Sequence, residues 1–358
     1  MNKDELDIYL NKIKNSQSDF TYNYEEIAKA IEQKNNRGSD IAVKILSGIG
    51  GVLSSLLLLG LLLVTELISK EIEFIIWGII FTILAGSMNY WFDKIIMNTA
   101  SISLYLIGLV LFGIGIVRMY SDDLGINILL CCLVLISILH ILLSNNYIMM
   151  FISSIIIIGS ISVCFYVNEI TLFNNIFIVI IAAIFIFVSF YEAKIISFNK
   201  KLNYFYNPLQ ISLLISIIVL LITFGFSDKS DTVRDYFWII STGIFGGIMY
   251  SVYKITELVN IKKQKYKYLI YAISFTIIAP TFFYPPIGGA LLALLVSYYI
   301  GQKQGVVISI LALTYFVIHY YYSMHNTLLT KSLILMVSGL ILTLAYFAFL
   351  KYMKEDKG

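Results

Sequence analysis

Residues 172–191 read LFNNIFIVIIAAIFIFVSFY, twenty positions without one acidic or basic side chain. At about 1.5 Å per residue such a run is long enough to cross roughly 30 Å of hydrocarbon as a single helix. Lipid offers no partner to backbone N–H and C=O groups, so the text demands a structure that satisfies them internally. Working outward, similar stretches lie at 43–65, 74–91, 99–117, 125–143, 147–167, 208–226, 236–253, 268–283, 286–300, 306–321 and 332–350. The expected fold is an all-α polytopic integral membrane protein with about twelve transmembrane helices. The ninth and tenth stretches are short and parted only by Tyr284, Pro285 and Pro286, so a re-entrant pair is the other reading there.

Composition supports the class, since 59% of the 358 residues are apolar and 13% charged, which excludes an ordinary soluble interior and surface. The start of the chain is polar: Asp4, Glu5, Asp7 and Lys12 stand where a secretory leader would need its apolar core. Residues 1–42 are expected to form a short cytoplasmic amphipathic helical leader, with stripes at Leu6, Leu10 and Ile13 and at Ile27 and Ile31. Residues 43–350 form the transmembrane domain and 351–358 a cytoplasmic tail. Lysine and arginine are retained on the cytoplasmic side during insertion. Of the 25 basic residues, 20 fall in segments assigned inside, while Lys70, Arg118, Lys229, Arg234 and Lys331 fall outside. An even number of spans preserves that alternation and puts both termini in the cytoplasm.

The interior carries little chemistry. Ion-coupled transport needs ionisable groups near the midplane, and only His140 and His319 sit at depth. A hydrogen bond to a neighbouring helix is the ordinary role for each, proton relay the sharper one. Neither has a carboxylate at helical spacing, so a metal set is incomplete. Cys131, Cys132 and Cys164 lack ligand spacing and read as small apolar residues. The pairs Asp122 and Asp123, and Glu71 and Glu73, stand in short outer loops with no residues to orient a donor, and read as solvated charges. No phosphate-cradling glycine loop or serine elbow occurs, and no cofactor, metal or nucleic acid is expected. Glycines cluster at Gly48, Gly50 and Gly51, at Gly243, Gly246 and Gly247, and at Gly288 and Gly289, where they would let helices approach closely.

From Pro285 onward the text is distinctive: Pro285-Pro286, Gly288-Gly289, Tyr320-Tyr321-Tyr322-Ser323, then Asn326-Thr327-Leu328-Leu329-Thr330-Lys331-Ser332 and a final apolar run with Gly339. This linked set resembles the bacterial membrane-protein family catalogued as domain of unknown function 4401. In that family a Tyr-Tyr-Tyr helix end leads through Leu-Leu-Thr-Lys-Ser into the last helix. The resemblance implies architecture more than activity, and implies as partner a second membrane protein of a family named for a Gly-Asp-Tyr motif. The N-terminal half is similar to related predicted membrane proteins.

The residues themselves allow a physical reading. Tyr320, Tyr321 and Tyr322 end a span where phenol rings lie among headgroups. Lys331 begins the last span on the outer face, where the positive end of the helix dipole already repels a cation. An anion would relieve that placement: Lys331, with Thr327, Thr330, Ser332 and the tyrosine hydroxyls, is expected to receive a carboxylate or phosphate from a partner or lipid. A lysine snorkelling to water beside an aromatic belt is the plainer alternative. Three functional readings follow: a non-enzymatic component binding a partner membrane protein or membrane lipids, a transporter or lipid flippase, and a membrane transferase. Oligomeric state is open.

Overall fold

The computed structural model describes residues 46, 49–62, 64–65, 70–91, 95–120, 123–144, 146–198, 200–226, 236–258, 264–323, 329, 332, 336, 339–340 and 343. The expected leader, the tail and most of the last span lie outside them. Among the described residues the regular structure is all helical, with no strand. Two compact units divide the chain, residues 1–119 and 120–358.

The first unit contains α1 (Ile49–Leu62), α2 (Glu71–Trp91) and α3 (Ile95–Met119). Helix α2 starts where the Glu73 carboxylate accepts the Lys70 backbone N–H at 3.2 Å, satisfying a donor that has no intrahelical partner. Helices α2 and α3 run antiparallel, and glycine sets their distance. A Cβ added at Gly78 would meet the Phe112 backbone nitrogen at 2.6 Å, and one at Gly108 would meet the Gly78 carbonyl at 2.9 Å. Only glycine permits such an approach, and in lipid close packing replaces the hydrophobic drive. Phe74, Ile107 and Leu111 fill the seam, and the Arg118 guanidinium lies 4.8 Å from the centre of the Phe74 ring. Helix α1 joins α3 through the hydroxyls of Ser54 and Ser103, 2.6 Å apart.

The second unit runs α4 (Asp123–Leu143), α5 (Tyr147–Val167), α6 (Thr171–Phe190), the short α7 (Glu192–Phe198), α8 (Lys200–Phe226), α9 (Phe237–Leu258) and α10 (Gln264–Ile278). A 3-10 turn (Ala279–Phe283), α11 (Pro285–Ile300) and α12 (Lys303–Ser323) follow. Helix α8 is the hub. Its Leu213, Leu214, Ile217, Ile218, Leu220 and Leu221 are buried in one core with Phe185 of α6, Ile240 and Ile244 of α9, and Leu292 and Val296 of α11. Three buried serines need no partner helix, because the hydroxyl donates to the carbonyl one turn back: Ser154 to Met150, Ser251 to Gly247, Ser309 to Gly305. Helix α4 instead turns Leu124, Cys131, Leu135, Leu139 and Leu142 outward, as a lipid-facing helix does.

Seven described helices are long and apolar enough to cross a membrane: Glu71–Asn89, Met97–Met119, Leu124–Leu143, Tyr147–Val167, Thr171–Phe190, Phe205–Gly225 and Lys303–Ser323. They are the helices of a membrane-embedded chain. The other expected spans fall on the shorter Ile49–Leu62, Ile270–Phe283 and Pro285–Ile300, on α9, and on 332–350, most of which is outside the described residues. Helix α9 is long enough at 22 residues, but its glycines, serines and tyrosines leave it more polar. The 16 residues of α11 reach about 24 Å, less than a full hydrocarbon thickness. The apolar run 268–283 is not one helix: α10 tightens at Ala279 into the 3-10 turn, and Pro285 and Pro286 then open α11.

Candidate functional site

The chain breaks at Tyr284 for a local reason. A residue before proline is held away from the helical region, and Tyr284 adopts φ −141° and ψ 85° between the 3-10 turn and α11. Its backbone N–H is satisfied by the Thr281 carbonyl at 3.1 Å, and Ser241 of α9 anchors the turn by donating to the Phe282 carbonyl at 2.7 Å. The tyrosine side chain is thereby fixed at the rim of the unit.

Helix α12 supplies the other half. Its buried face, Gly305, Ser309, Ala312 and Phe316, advances by three or four residues, and the next step brings His319 and Tyr320 to the same rim. The Tyr284 hydroxyl and His319 Nδ1 are hydrogen-bonded at 2.8 Å, and the ring nitrogen that carries the imidazole proton decides which of them donates. Tyr320 packs against Tyr284 with ring centres 4.9 Å apart, and Tyr315 stacks on His319 at 6.0 Å. Gly225, near the end of α8, closes the cluster from beneath: a Cβ there would meet the Tyr284 hydroxyl at 3.3 Å and His319 Cε1 at 3.8 Å. Tyr284 and Tyr315 thus lie against one imidazole, with Tyr320 packed on Tyr284, and an imidazole N–H can donate to an anion.

Of the residues singled out in the sequence, Tyr320 and His319 meet here. Tyr321 is half-buried and sets its ring edge-on to Tyr322 at 5.6 Å; Tyr322 itself is 77% exposed. The Ser332 hydroxyl donates to the Leu329 carbonyl at 2.8 Å. Thr327, Thr330 and Lys331 lie outside the described residues. His140 is elsewhere: it is buried in α4, its Nδ1 2.9 Å from the Ile136 carbonyl of its own helix. Of the acidic loop pairs, Glu73 caps α2 as described, Glu71 is exposed, and Asp122 is outside the described residues. Cys131 is exposed, and among the described residues no group of three or more His, Cys, Asp or Glu side chains could hold a metal ion. Sequence reading missed Tyr284 and Gly225 as members of the cluster. Tyr284-Pro285-Pro286 was visible only as a break, since nothing in the text paired it with a residue 35 positions further on.

The model of the domain of unknown function 4401 (DUF4401) matches residues 41–352. The chain belongs to the DUF4401 family. No curated protein matches it. Within this DUF4401 chain the family region takes in both the α2–α3 pair and the α8–α12 rim, so the family covers the whole helical body and not only its last helices.

Proposed function

We propose that this DUF4401 protein is a non-enzymatic membrane component that receives an anionic group, carboxylate or phosphate, from a partner membrane protein or lipid at the rim formed by Tyr284, His319 and Tyr320. The observation that carries the reading is the 2.8 Å bond between Tyr284 and His319 Nδ1. It orders an imidazole beside Tyr284 and Tyr315 near the end of α12, from which the chain continues toward Thr330, Lys331 and Ser332. A preorganised set of donors binds an anion at lower cost than mobile ones. In this reading the chain lies in a bacterial inner membrane with both termini cytoplasmic, and the partner is the membrane protein bearing the Gly-Asp-Tyr motif.

The test is co-purification from native membranes of the wild-type chain, Tyr284→Phe and Lys331→Gln, with insertion checked for each. Loss of a partner band or of bound lipid in both variants is the expected result. Unchanged partner and lipid content in both would remove the proposal.

One observation favours transport or lipid flipping as a second reading. Asn175 Nδ2 and Ser216 Oγ are buried in the second unit with no hydrogen-bond partner, and a passing headgroup or ion would supply one. Reconstituted vesicles in which wild type and Asn175→Leu move a fluorescent lipid equally slowly would end that reading.

A further inference from the structure

Toward one end of the second unit the ends of α6 and α11 meet the last turns of α9, and an aromatic floor is built from all three. Phe190 lies between Tyr250 and Tyr299, with ring centres at 6.5 and 5.4 Å. The phenols of Tyr191 and Tyr250 are close enough to act on each other electrostatically, and Phe187, one turn back on α6, packs on Tyr191 with ring centres 4.8 Å apart. Two ammonium groups from different helices converge on this floor. Lys194 Nζ lies 5.3 Å from the centre of the Tyr191 ring, and Lys254 is close enough to the Tyr191 and Tyr250 phenols to act on both electrostatically.

The charges around them are lopsided. Segments 191–207, 254–267 and 301–305, which flank and join these helix ends, contain nine lysines and two carboxylates. Glu192 lies near Tyr206, whose hydroxyl donates to the Val188 carbonyl at 3.4 Å, and Glu257 holds Lys254 Nζ at 2.7 Å on the exposed surface. Exposed ion pairs of this kind are weak and exchange readily with a second anion. Phe187 is 57% exposed, so an apolar track leads from the lysines along α6.

We propose that this end seats an anionic phospholipid, its phosphate between Lys194 and Lys254 with the Tyr191 and Tyr250 hydroxyls as further donors, and an acyl chain along Phe187. Lysines at a membrane surface attract anionic headgroups at about 1 kcal/mol each, close to fivefold in affinity. The site is separate from the Tyr284–His319 rim, so either proposal can fail alone.

The experiment uses the full chain in detergent, with phosphatidylglycerol or phosphatidylcholine added, and counts retained lipid by native mass spectrometry. Phosphatidylglycerol should be retained preferentially. Lys194→Gln with Lys254→Gln should lower its affinity by about 25-fold. Glu257→Gln, which frees Lys254, should raise it severalfold, and a purely structural role for these residues predicts no such opposition of sign. Equal retention of the two lipids, an unchanged double variant, or weaker binding in Glu257→Gln would overturn the proposal. Binding of inorganic phosphate alone, lost in the double variant, would assign the lysines to a free anion and overturn the lipid as occupant.

Discussion

The backbone of Gly78 passes so close to Phe112 that a methyl carbon on Gly78 would lie 2.6 Å from the Phe112 nitrogen. Atoms at that distance must move apart, and the obstacle is backbone. Gly78→Ala should therefore push α2 from α3 and destabilise the first unit by roughly 1–3 kcal/mol. Gly60→Ala in α1 is the control, because nothing lies within 4 Å of its Cβ position, and alanine is the better helix former. Thermal unfolding in detergent should show a lowered midpoint for the first and none for the second; equal midpoints would refute the close approach.

Asn127 and Asn168 join α4 to the end of α5 by a reciprocal pair of side-chain hydrogen bonds, Asn127 Nδ2 donating to Asn168 Oδ1 at 3.1 Å and Asn168 Nδ2 to Asn127 Oδ1 at 2.9 Å. Asn168 also donates to the Cys164 carbonyl at 2.7 Å. Interhelical polar contacts in membranes couple by about 0.6 kcal/mol, with a maximum near 1.7. A double-mutant cycle of Asn127→Leu and Asn168→Ala should return a coupling in that range. Strict additivity would mean that the pair contributes nothing.

Asn175 is 1% exposed, and its Nδ2 has no hydrogen-bond partner. A buried unmade hydrogen bond costs about 1–3 kcal/mol. Asn175→Leu, which keeps the branching and the number of side-chain heavy atoms but is apolar, should accordingly raise the unfolding midpoint. A lowered midpoint would show that the amide serves a bound ligand or water.

The Tyr284 to His319 bond predicts non-additive stability. Tyr284→Phe keeps the ring contacts with Tyr320 and removes only the hydroxyl, and His319→Leu removes the other partner. Each alone should cost about 0.5–1.5 kcal/mol, and the double variant less than their sum. A double variant as costly as the two singles added together would show the two groups to be uncoupled.

Much of this was legible in the order of residues. Long apolar runs such as 172–191 dictate helices wherever water is absent, because backbone groups have no other partner there; of the glycine clusters, Gly51 faces Ile102 and Gly289 faces Leu221, whereas Gly50 and Gly246 have nothing within 4 Å, and the close approach at Gly78 and Gly108 lies outside the clusters. Tyr320 was recognisable as aromatic content at a helix end, and His319 as a polar residue read at depth within its span. Their arrangement was not, since a hydrogen bond between Tyr284 and His319 depends on how α11 and α12 return to one rim, and sequence spacing carries no such distance.

What the sequence determined by itself was the solvent of the chain and, from that, its helical class. Which faces meet was decided by tertiary structure. Apolar side chains are nearly indifferent between lipid and a neighbouring helix, so hydrophobicity cannot choose the partner. Shape does: the missing Cβ atoms of Gly78 and Gly108 admit α2 to α3, and the proline pair after Tyr284 turns one phenol onto the imidazole of α12.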